Sequence, residues 1–557
     1  MNMKNIIKFS LVAICSLVLA SSCIKETFPQ GGSATAVQVA AAPGAFDGFV
    51  DALTAQLAGF PTYGGGTDAN DFGMPRFFIA WDSMGQDLVQ PSLTNGWFNS
   101  WYIISALGPT YANSQYAWTL YYSAIKSCND VINLAGEEPD PDKIVGAGLA
   151  RFYRAYWYTD LAQMFANKPC YMDPQAETVP MVNETMTPAD LADNPRATNE
   201  AMFAQIITDL DIAEKYLAGY KRTDKYLPDV SCVYGQKARA YLLMGEWAKA
   251  REYAQKAQAG YTIMNEAAYT DWDTGFNTPN ASWMLAMQFK SDNPCIQNND
   301  GDSSWASWMC MEINPVTSGC GYAANYGRPI QIDRHLYETI PATDFRKKCF
   351  ADFAINSMSE EAAIAALSAY TKHPDWIYGT NKNNGNPQGG TNFKFRVAGG
   401  EAGRDNQYIG FVVSVPMMRV EEMVLIEAEA AGRMSESDGI NLLTNFAKTR
   451  DPEYVYGTHQ DAYYNASTTQ FINEVWWQRR VEFWGEGLAT KDIKRLQKGV
   501  IRSYPGTNHV ETNRYNVDHT PDWMNLCIVQ TETNYNFSCT NNPDPVKPAG
   551  DSPEFIW

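Results

Sequence analysis

Apolar and aromatic residues recur at helical spacing through much of residues 46–260. In "YAWTLYYSAIKSCNDVINLAG", one such face comprises Trp118, Tyr122, Ile125, Asn129 and Ile132. Positions separated by three or four residues lie on the same side of an α-helix. The stretch "ARFYRAYWYTDLAQMFANKP" follows with a second apolar face. The pattern predicts two tandem helices that bury most of their aromatic side chains against each other.

The segment "GQKARAYLLMGEWAKAREYAQKA" identifies the type of helical pair. Its small and aromatic residues follow the tetratricopeptide spacing at Ala238, Tyr241, Gly245, Trp247, Ala250, Ala254 and Ala257. The small residues let two antiparallel helices approach closely, and Gly245 turns the chain between them. Each such pair leaves one face for the next pair to cover. We therefore predict an atypical array of stacked helical hairpins.

The composition favours a neutral or basic ligand. The chain carries a formal net charge of −19, and no Lys/Arg cluster provides the basic stripe that nucleic-acid binding requires. Aromatic residues make up 13% of the sequence, with 16 Trp among them. Trp and Tyr have large, stiff, amphipathic side chains that suit stacking surfaces. Neutral sugars fit this composition, since proteins recognise them by stacking and hydrogen bonding.

The N-terminus resembles the signal of a bacterial lipoprotein. Residues 1–22 contain two lysines, a short apolar run and small residues before Cys23. Small residues followed directly by Cys resemble a lipobox, in which that Cys is lipidated. Residues 23–45 would then form a flexible tether. The acyl chains on Cys23 would hold the protein firmly at a membrane.

Cysteine spacing indicates neither a zinc site nor a complete disulfide framework. Nine cysteines remain besides Cys15 and Cys23, an odd number without C-x-x-C spacing. One or two disulfides stay open as an expectation. The candidates are Cys295, Cys310 and Cys320.

Changes in composition and in hydrophobic pattern divide the chain into further regions. Residues 46–260 form the helical region, and 261–415 are richer in Asp, Asn, Gly and Ser, with short strand-like runs such as "WMLAMQF". Helical patterns return in 416–557, which ends in an irregular tail. We predict that the middle region is a loop-rich insertion. Loops of this kind often carry ligand-binding residues.

Four separate motifs, in this order, resemble the SusD/RagB family of outer-membrane lipoproteins. The first two are "ARFYRAYWYTDLAQMFANKP" and "FAQIITDLDIAEKYL". They match the family through Arg151, Arg154, Ala155, Tyr156, Asp160, Leu161, Pro169, Ile207, Asp209, Leu210 and Ala213.

The other two motifs are "MRVEEMVLIEAEA" and "QRRVEFWGEGLATKDIKR". They match through Arg419, Glu422, Ala428, Glu429, Ala430, Arg479, Arg480, Glu482, Phe483, Glu486, Gly487 and Asp492. The family usually has His-Arg-Trp after Gly487, whereas this chain has Leu488, Ala489 and Thr490.

The resemblance implies an all-α fold, in which tetratricopeptide-like hairpins form a superhelical scaffold with a loop-rich ligand-binding face. It further implies a lipid-anchored protein on the cell surface, at the outer membrane. Such a protein captures oligosaccharide, or peptide in some branches, and caps a SusC-like TonB-dependent transporter. The resemblance implies no catalysis and no cofactor.

Two loop regions contain the candidate ligand-binding residues, where rings stand beside amides and carboxylates. A Trp lying flat on the apolar face of a pyranose gains roughly 1–3 kcal/mol, by analogy with base stacking. We predict a platform formed by Trp81, Trp283 and Trp305. Further candidate contacts are Asp82, Asp87, Trp97, Trp308, Tyr322 and Tyr326. Three coplanar Trp would suit a flat ribbon, such as the plant β-glucans xyloglucan and mixed-linkage glucan.

Three alternatives remain open. Asp271, Asp273, Asn298, Asp300 and Asp302 offer oxygen ligands of the kind Ca²⁺ accepts, but they do not complete an EF-hand loop. A surface glycosidase would need two carboxylates about 5–10 Å apart. Because the chain contains 62 Asp and Glu, the sequence alone does not exclude such a pair. Peptide capture also remains open because aromatic platforms hold extended peptides.

Overall fold

The computed structural model describes residues 42, 44–58, 68–90, 97–382, 389–459 and 468–557. The chain divides into two compact units, residues 1–49 and 50–557. In the first unit the structure describes residue 42 and residues 44–49, where the helix Ala45–Asp51 begins. The expected signal peptide, Cys23 and nearly all of the expected tether lie outside the described residues.

Eight helices among the described residues are twelve residues or longer. They are α1 (Ala112–Ala135), α2 (Ile144–Phe165), α3 (Asn199–Leu217), α4 (Val230–Met244), α5 (Trp247–Gln258), α6 (Val420–Met434), α7 (Glu436–Ala447) and α8 (Gln470–Glu482). Each packs against the next in this order. Helix α5 therefore contacts α6 although about 160 residues separate them in sequence. The predicted all-α fold of stacked helices is confirmed.

Small side chains explain the close contact between α4 and α5. Ala238 on α4 and Ala250 and Ala254 on α5 are fully buried between helices. Gly245 ends α4 with a φ of 75°, in the left-handed region that favours glycine. A Cβ atom at this position would also lie 2.7 Å from Cβ of Tyr171. The predicted helical pair is therefore present and turns at the predicted residue.

Shorter elements occupy the loop-rich regions. The shorter α-helices are Ala45–Asp51, Ala55–Ala58, Arg76–Asp82, Asn99–Tyr102, Pro188–Ala192, Glu266–Tyr269, Pro294–Gln297, Trp305–Met309, Arg334–Thr339, Glu360–Leu367, Pro374–Asn381, Gly400–Asp405, Gln407–Gly410, Ala489–Leu496 and Gln530–Thr533. The 3₁₀ turns are Ala52–Thr54, Asn299–Gly301, Phe345–Cys349, Ile355–Ser357, Glu511–Asn513 and Asp522–Met524.

The strands are short and pair antiparallel. A four-stranded sheet contains, in spatial order, Leu88–Val89, Gln331–Ile332, Thr391–Asn392 and Phe350–Ala351. The two-stranded pairs are Glu177–Pro180 with Arg196–Thr198, Trp283–Gln288 with Ser414–Arg419, and Val500–Ile501 with Asn516–Val517. Because the strand Ser414–Arg419 leads directly into α6, its pairing ties the 261–415 region to the returning helices.

Buried ion pairs join the sequence motifs across the fold. Glu482 on α8 accepts hydrogen bonds from Arg419 at 3.1 Å, Arg450 at 3.1 Å and Arg346 at 3.3 Å. Arg419 also donates to Glu486 at 2.9 Å. Burial alone would raise the pKa of Glu482, but the three guanidinium charges lower it below its usual value. Glu482 and Glu486 of the fourth motif are therefore structural, since their carboxylates are paired with buried arginines.

The described cysteines are free thiols, so none of the candidate bridges among Cys295, Cys310 and Cys320 is formed. Cys295 instead lies against the carbonyl of Ala58, and Cys320 against the hydroxyl of Ser318. Among the described residues, no helix combines the length and apolar character that crossing a bilayer requires.

Candidate functional site

The three predicted platform tryptophans lie in the protein core, which corrects the prediction. Trp81, Trp283 and Trp305 are almost completely buried. Trp81 is on the helix Arg76–Asp82, every residue of which is buried, and its ring stacks with Tyr121. Trp283 begins a strand paired on Arg419, and the Trp305 ring packs edge-on to Phe395. These indoles hold short elements onto the helices and present no face to a ligand.

The two predicted carboxylate contacts are also internal. Asp82 accepts from the backbone N–H groups of Gly487 at 3.0 Å and Thr490 at 3.4 Å. Burial raises the pKa of Asp82 to about 7, although these hydrogen bonds act in the opposite direction. Asp87 pairs with the guanidinium of Arg480 at 2.6 Å. Both aspartates therefore connect the start of the chain to the fourth motif and cannot reach a ligand.

The other four predicted rings come together as one group, here called the aromatic cluster: Trp97, Trp308, Tyr322 and Tyr326. Trp97 precedes the helix Asn99–Tyr102, Trp308 lies on the helix Trp305–Met309, and Tyr322 and Tyr326 follow that helix. Trp97 is 40% exposed and Tyr326 41% exposed, whereas Trp308 and Tyr322 are buried beneath them. Two ring surfaces distant in sequence are therefore open to solvent at one place.

Buried rings support the exposed ones. Tyr322 stacks on Trp308 with ring centroids 4.1 Å apart and planes inclined by 10°. Trp308 donates its indole N–H to the carbonyl of Ala69 at 2.9 Å. Trp97 donates its indole N–H to the Tyr322 hydroxyl at 2.9 Å. These contacts fix the Trp97 ring before any ligand arrives, which lowers the entropic cost of binding.

The buried carboxylate of Asp302 fixes the Tyr326 ring. Its Oδ2 accepts from the Tyr326 hydroxyl at 2.9 Å, and its Oδ1 accepts from the backbone N–H of Gly321 at 2.6 Å. Burial raises the pKa of Asp302, and these hydrogen bonds partly offset the effect. Tyr326 stands edge-on to Tyr322, with planes inclined by 75°. The exposed Tyr326 ring is thus held at a steep angle to the buried stack.

A further exposed ring, beside the 3₁₀ turn Asn299–Gly301, was not predicted from the sequence. The hydroxyl of Tyr408 donates to Asp300 at 3.2 Å, and the side chains of Tyr408 and Ile409 are both exposed. Asp300 adopts a left-handed backbone conformation with a φ of 52°. A tyrosine within the polar stretch "GRDNQYIG" is the sequence signal that could have identified this residue.

The candidate calcium ligands make internal contacts. Asp273 pairs with Lys372 at 2.8 Å and with Arg404 at 2.9 Å. Asp271 caps a turn by accepting from the backbone N–H of Thr274 at 2.6 Å. Within the described ranges, no group of three or more His, Cys, Asp or Glu side chains is arranged to hold a metal ion.

The chain belongs to the SusD family. The SusD family model matches residues 246–543. A second SusD-like family model, described as "Starch-binding associating with outer membrane", matches residues 82–242. The resemblance carried by the four motifs is therefore confirmed. No curated protein matches the sequence.

Solved structures share this fold at low sequence identity. A SusD-like carbohydrate binding protein from Bacteroides vulgatus ATCC 8482 is 22% identical over 89% of this chain and 97% of its own, with a TM-score of 0.69. A SusD superfamily protein from Bacteroides thetaiotaomicron VPI-5482 is 17% identical over 89% and 99%, with a TM-score of 0.64. Surface glycan-binding protein A from Bacteroides thetaiotaomicron, in complex with laminarihexaose, is 17% identical over 89% and 98%, with a TM-score of 0.62.

Proposed function

We propose that this protein captures a neutral glycan on the aromatic cluster and does no chemistry on it. The observation that carries the proposal is the pair of exposed, internally braced rings, Trp97 and Tyr326. Pyranose C–H faces stack on such rings, and each stack contributes roughly 1–3 kcal/mol by analogy with base stacking. The buried Asp302 carboxylate holds the Tyr326 ring in place from within the protein. A neutral ligand also fits a chain whose formal charge is −19.

The ligand subclass and the transport partner belong to the same proposal. The preference for a plant β-glucan, such as xyloglucan or mixed-linkage glucan, first rested on three coplanar tryptophans that are in fact buried. Its remaining support is the fold shared with a protein bound to laminarihexaose. Family membership supports two further parts of the proposal, which are surface location through a lipid on Cys23 and delivery to a SusC-like TonB-dependent transporter.

Affinity electrophoresis tests glycan capture directly. The gels contain xyloglucan, mixed-linkage β-glucan, starch or mucin. In each gel, the migration of the wild type is compared with that of the double variant Trp97→Ala/Tyr326→Ala. We expect retardation of the wild type in at least one glycan gel and its loss in the double variant. The matched control Tyr111→Ala removes an exposed ring outside the cluster and should migrate like the wild type.

Three outcomes would contradict the proposal. Equal migration of wild type and double variant in every gel would show that the cluster is not the site. Release of reducing ends during incubation with a retained glycan would show that the protein is an enzyme. Titration with a neutral hexapeptide tests the remaining alternative, because binding of the peptide without any glycan binding would indicate a peptide-capturing protein.

A further inference from the structure

A second concave site lies away from the aromatic cluster. Its floor is helix α1, and its walls come from residues 182–194 and residues 532–536. The groove encloses about 610 Å³, within the range of roughly 300–1,000 Å³ that small-molecule sites occupy. No residue of the aromatic cluster lines it. It is therefore separate from the site proposed above.

Aromatic rings line the floor and the rim of this groove. Trp118 and Tyr122 on α1 lie side by side, with ring centroids 4.5 Å apart and planes inclined by 32°. The Trp118 ring is supported from the side by Phe165 on α2, edge-on at 5.6 Å. Tyr535 stands at the rim and is 75% exposed. The groove thus offers both a recessed and an exposed ring surface for stacking.

Polar groups around the rings are left without internal partners. The Trp118 indole N–H, the Tyr535 hydroxyl and the Asn133 amide form no hydrogen bond with any described residue. Although Trp118 as a whole is only 6% exposed, its indole nitrogen is not among the solvent-shielded polar atoms of the described residues and is open to the groove. An indole N–H in a groove, without an internal acceptor, is a donor for a bound molecule.

The walls of the groove are held in place by hydrogen bonds. The hydroxyl of Tyr122 donates to the carbonyl of Pro180 at 2.6 Å. Across the groove, the backbone N–H of Asn194 donates to Oδ1 of Asn536 at 3.0 Å, and the Asn536 amide donates to the Asn194 carbonyl at 2.6 Å. These reciprocal bonds join the two walls. The cavity is therefore preformed, which favours binding.

Three of the four charged side chains that line the groove are in ion pairs, and the fourth, Glu532, accepts a hydrogen bond from the Asn536 amide at 2.8 Å. Lys126 bonds Asp130 at 2.5 Å, and Glu184 bonds Arg154 at 2.5 Å. Burial alone would raise the pKa of Glu184, but Arg154 lowers it below its usual value. A charged ligand would have to compete with these pairs. Rings, hydrogen-bonding groups open to the groove and a carboxylate that can accept from hydroxyls together suit a neutral molecule with many hydroxyls.

We propose that this groove is a second carbohydrate-binding site, which takes a short neutral oligosaccharide. The ligand's C–H faces stack on Tyr535 and on the half-buried Tyr122, which the buried Trp118 ring supports, and its hydroxyls accept from the Trp118 indole N–H. This site adds to the proposed function and uses none of the same residues. A glycan chain held at two places on one protein is retained longer than at one place.

Calorimetric titration with laminarihexaose, cellohexaose and maltohexaose tests the second site. The background variant Trp97→Ala/Tyr326→Ala removes the cluster rings, and it should still bind at least one hexasaccharide. Adding Tyr535→Ala to this background should weaken the residual binding by roughly 5- to 150-fold. Trp118→Phe keeps a ring but removes the indole N–H, and should weaken it less. Phe537→Ala is the matched control, since Phe537 is 83% exposed in the same segment but does not line the groove.

Each negative outcome identifies which proposal fails. If the wild type binds and the background variant binds none of the three sugars, the second site is wrong and the cluster stands. If the background variant binds but Tyr535→Ala behaves like Phe537→Ala, the groove is not that second site. If a neutral hexapeptide binds the background variant and no sugar does, the assignment to carbohydrate is wrong. Absence of sugar binding by the wild type contradicts both proposals.

Discussion

The indole N–H of Trp97 donates a hydrogen bond of 2.9 Å to the hydroxyl of Tyr322, a residue 225 positions later in the chain. Tyr322 is in turn stacked on the buried Trp308. An exposed ring on a loop is therefore anchored, through one hydroxyl, to the core of the loop-rich region. Such anchoring reduces the side-chain entropy lost when a ligand stacks on the ring.

Removing this hydroxyl should weaken glycan binding without unfolding the protein. Tyr322→Phe keeps the stack on Trp308 but leaves the Trp97 indole without its acceptor. We expect the binding free energy to weaken by about 0.5–1.5 kcal/mol, the usual contribution of one hydrogen bond. Titration with the retained glycan measures the change. Tyr111→Phe, which alters an exposed tyrosine elsewhere, is the control, and equal losses in both variants would refute the anchoring role.

The same substitution should mainly lower the stability of the protein at a buried tryptophan and mainly lower glycan binding at an exposed one. Trp305→Ala removes a ring packed between Phe78 and Phe395, so it should lower the free energy of unfolding by about 3–5 kcal/mol. Trp97→Ala should lower it by less than about 1 kcal/mol but reduce glycan binding. Urea denaturation monitored by circular dichroism measures both. Similar stability losses in the two variants would contradict the assignment of Trp97 to the ligand surface.

The ion pair between the first two motifs should be essential for stability. Arg154 donates to both carboxylate oxygens of Asp209, through Nε at 2.8 Å and Nη2 at 2.7 Å, and both residues are buried. Asp209→Asn should cost about 3–5 kcal/mol, because it leaves a buried guanidinium without its main countercharge. Asp130→Asn, in the exposed pair with Lys126, should cost less than about 1 kcal/mol. Equal midpoints in urea for the two variants would be inconsistent with this interpretation.

Acid should destabilise the protein partly through Glu429. Burial alone would raise its pKa, but Arg495 and Arg433 lower it from 4.5 to about 2. A carboxyl with a lowered pKa stabilises the folded state above its unfolded pKa. That contribution, about 3 kcal/mol, is lost as the pH falls from 4.5 towards 2.

Glu429→Gln should therefore be less stable than the wild type near neutral pH, and the difference should shrink as the pH falls. Urea unfolding from about pH 7 to about pH 3 measures this convergence. Glu427→Gln on the same helix serves as the control and should show a nearly constant difference. A gap between wild type and Glu429→Gln that stays constant with pH would exclude this role.

The helical scaffold and the family could be predicted from the sequence because their signals are local. Helical spacing at Trp118 and Tyr122 and the small residues from Ala238 to Ala257 report which faces are buried. The motif residues could be matched to the family by residue type from the sequence. Which of them pair with each other, such as Arg154 with Asp209, could be seen only in the structure. Of the nine predicted ligand contacts, Trp97 and Tyr326 are exposed, and Trp308 and Tyr322 support them from below.

The remaining predictions failed because exposure depends on contacts between distant parts of the chain. Trp81 and Trp97 both have polar residues beside them, and the apolar run before Trp81 is not by itself a sign of burial. Trp81 is covered because its short helix packs against Tyr121 and the fourth motif, whereas Trp97 is left at the edge of that packing. Sequence alone determined the helices, since their periodicity reflects backbone geometry. Only the tertiary structure decided which rings meet solvent, since burial is a property of what packs on a side chain and not of its neighbours in sequence.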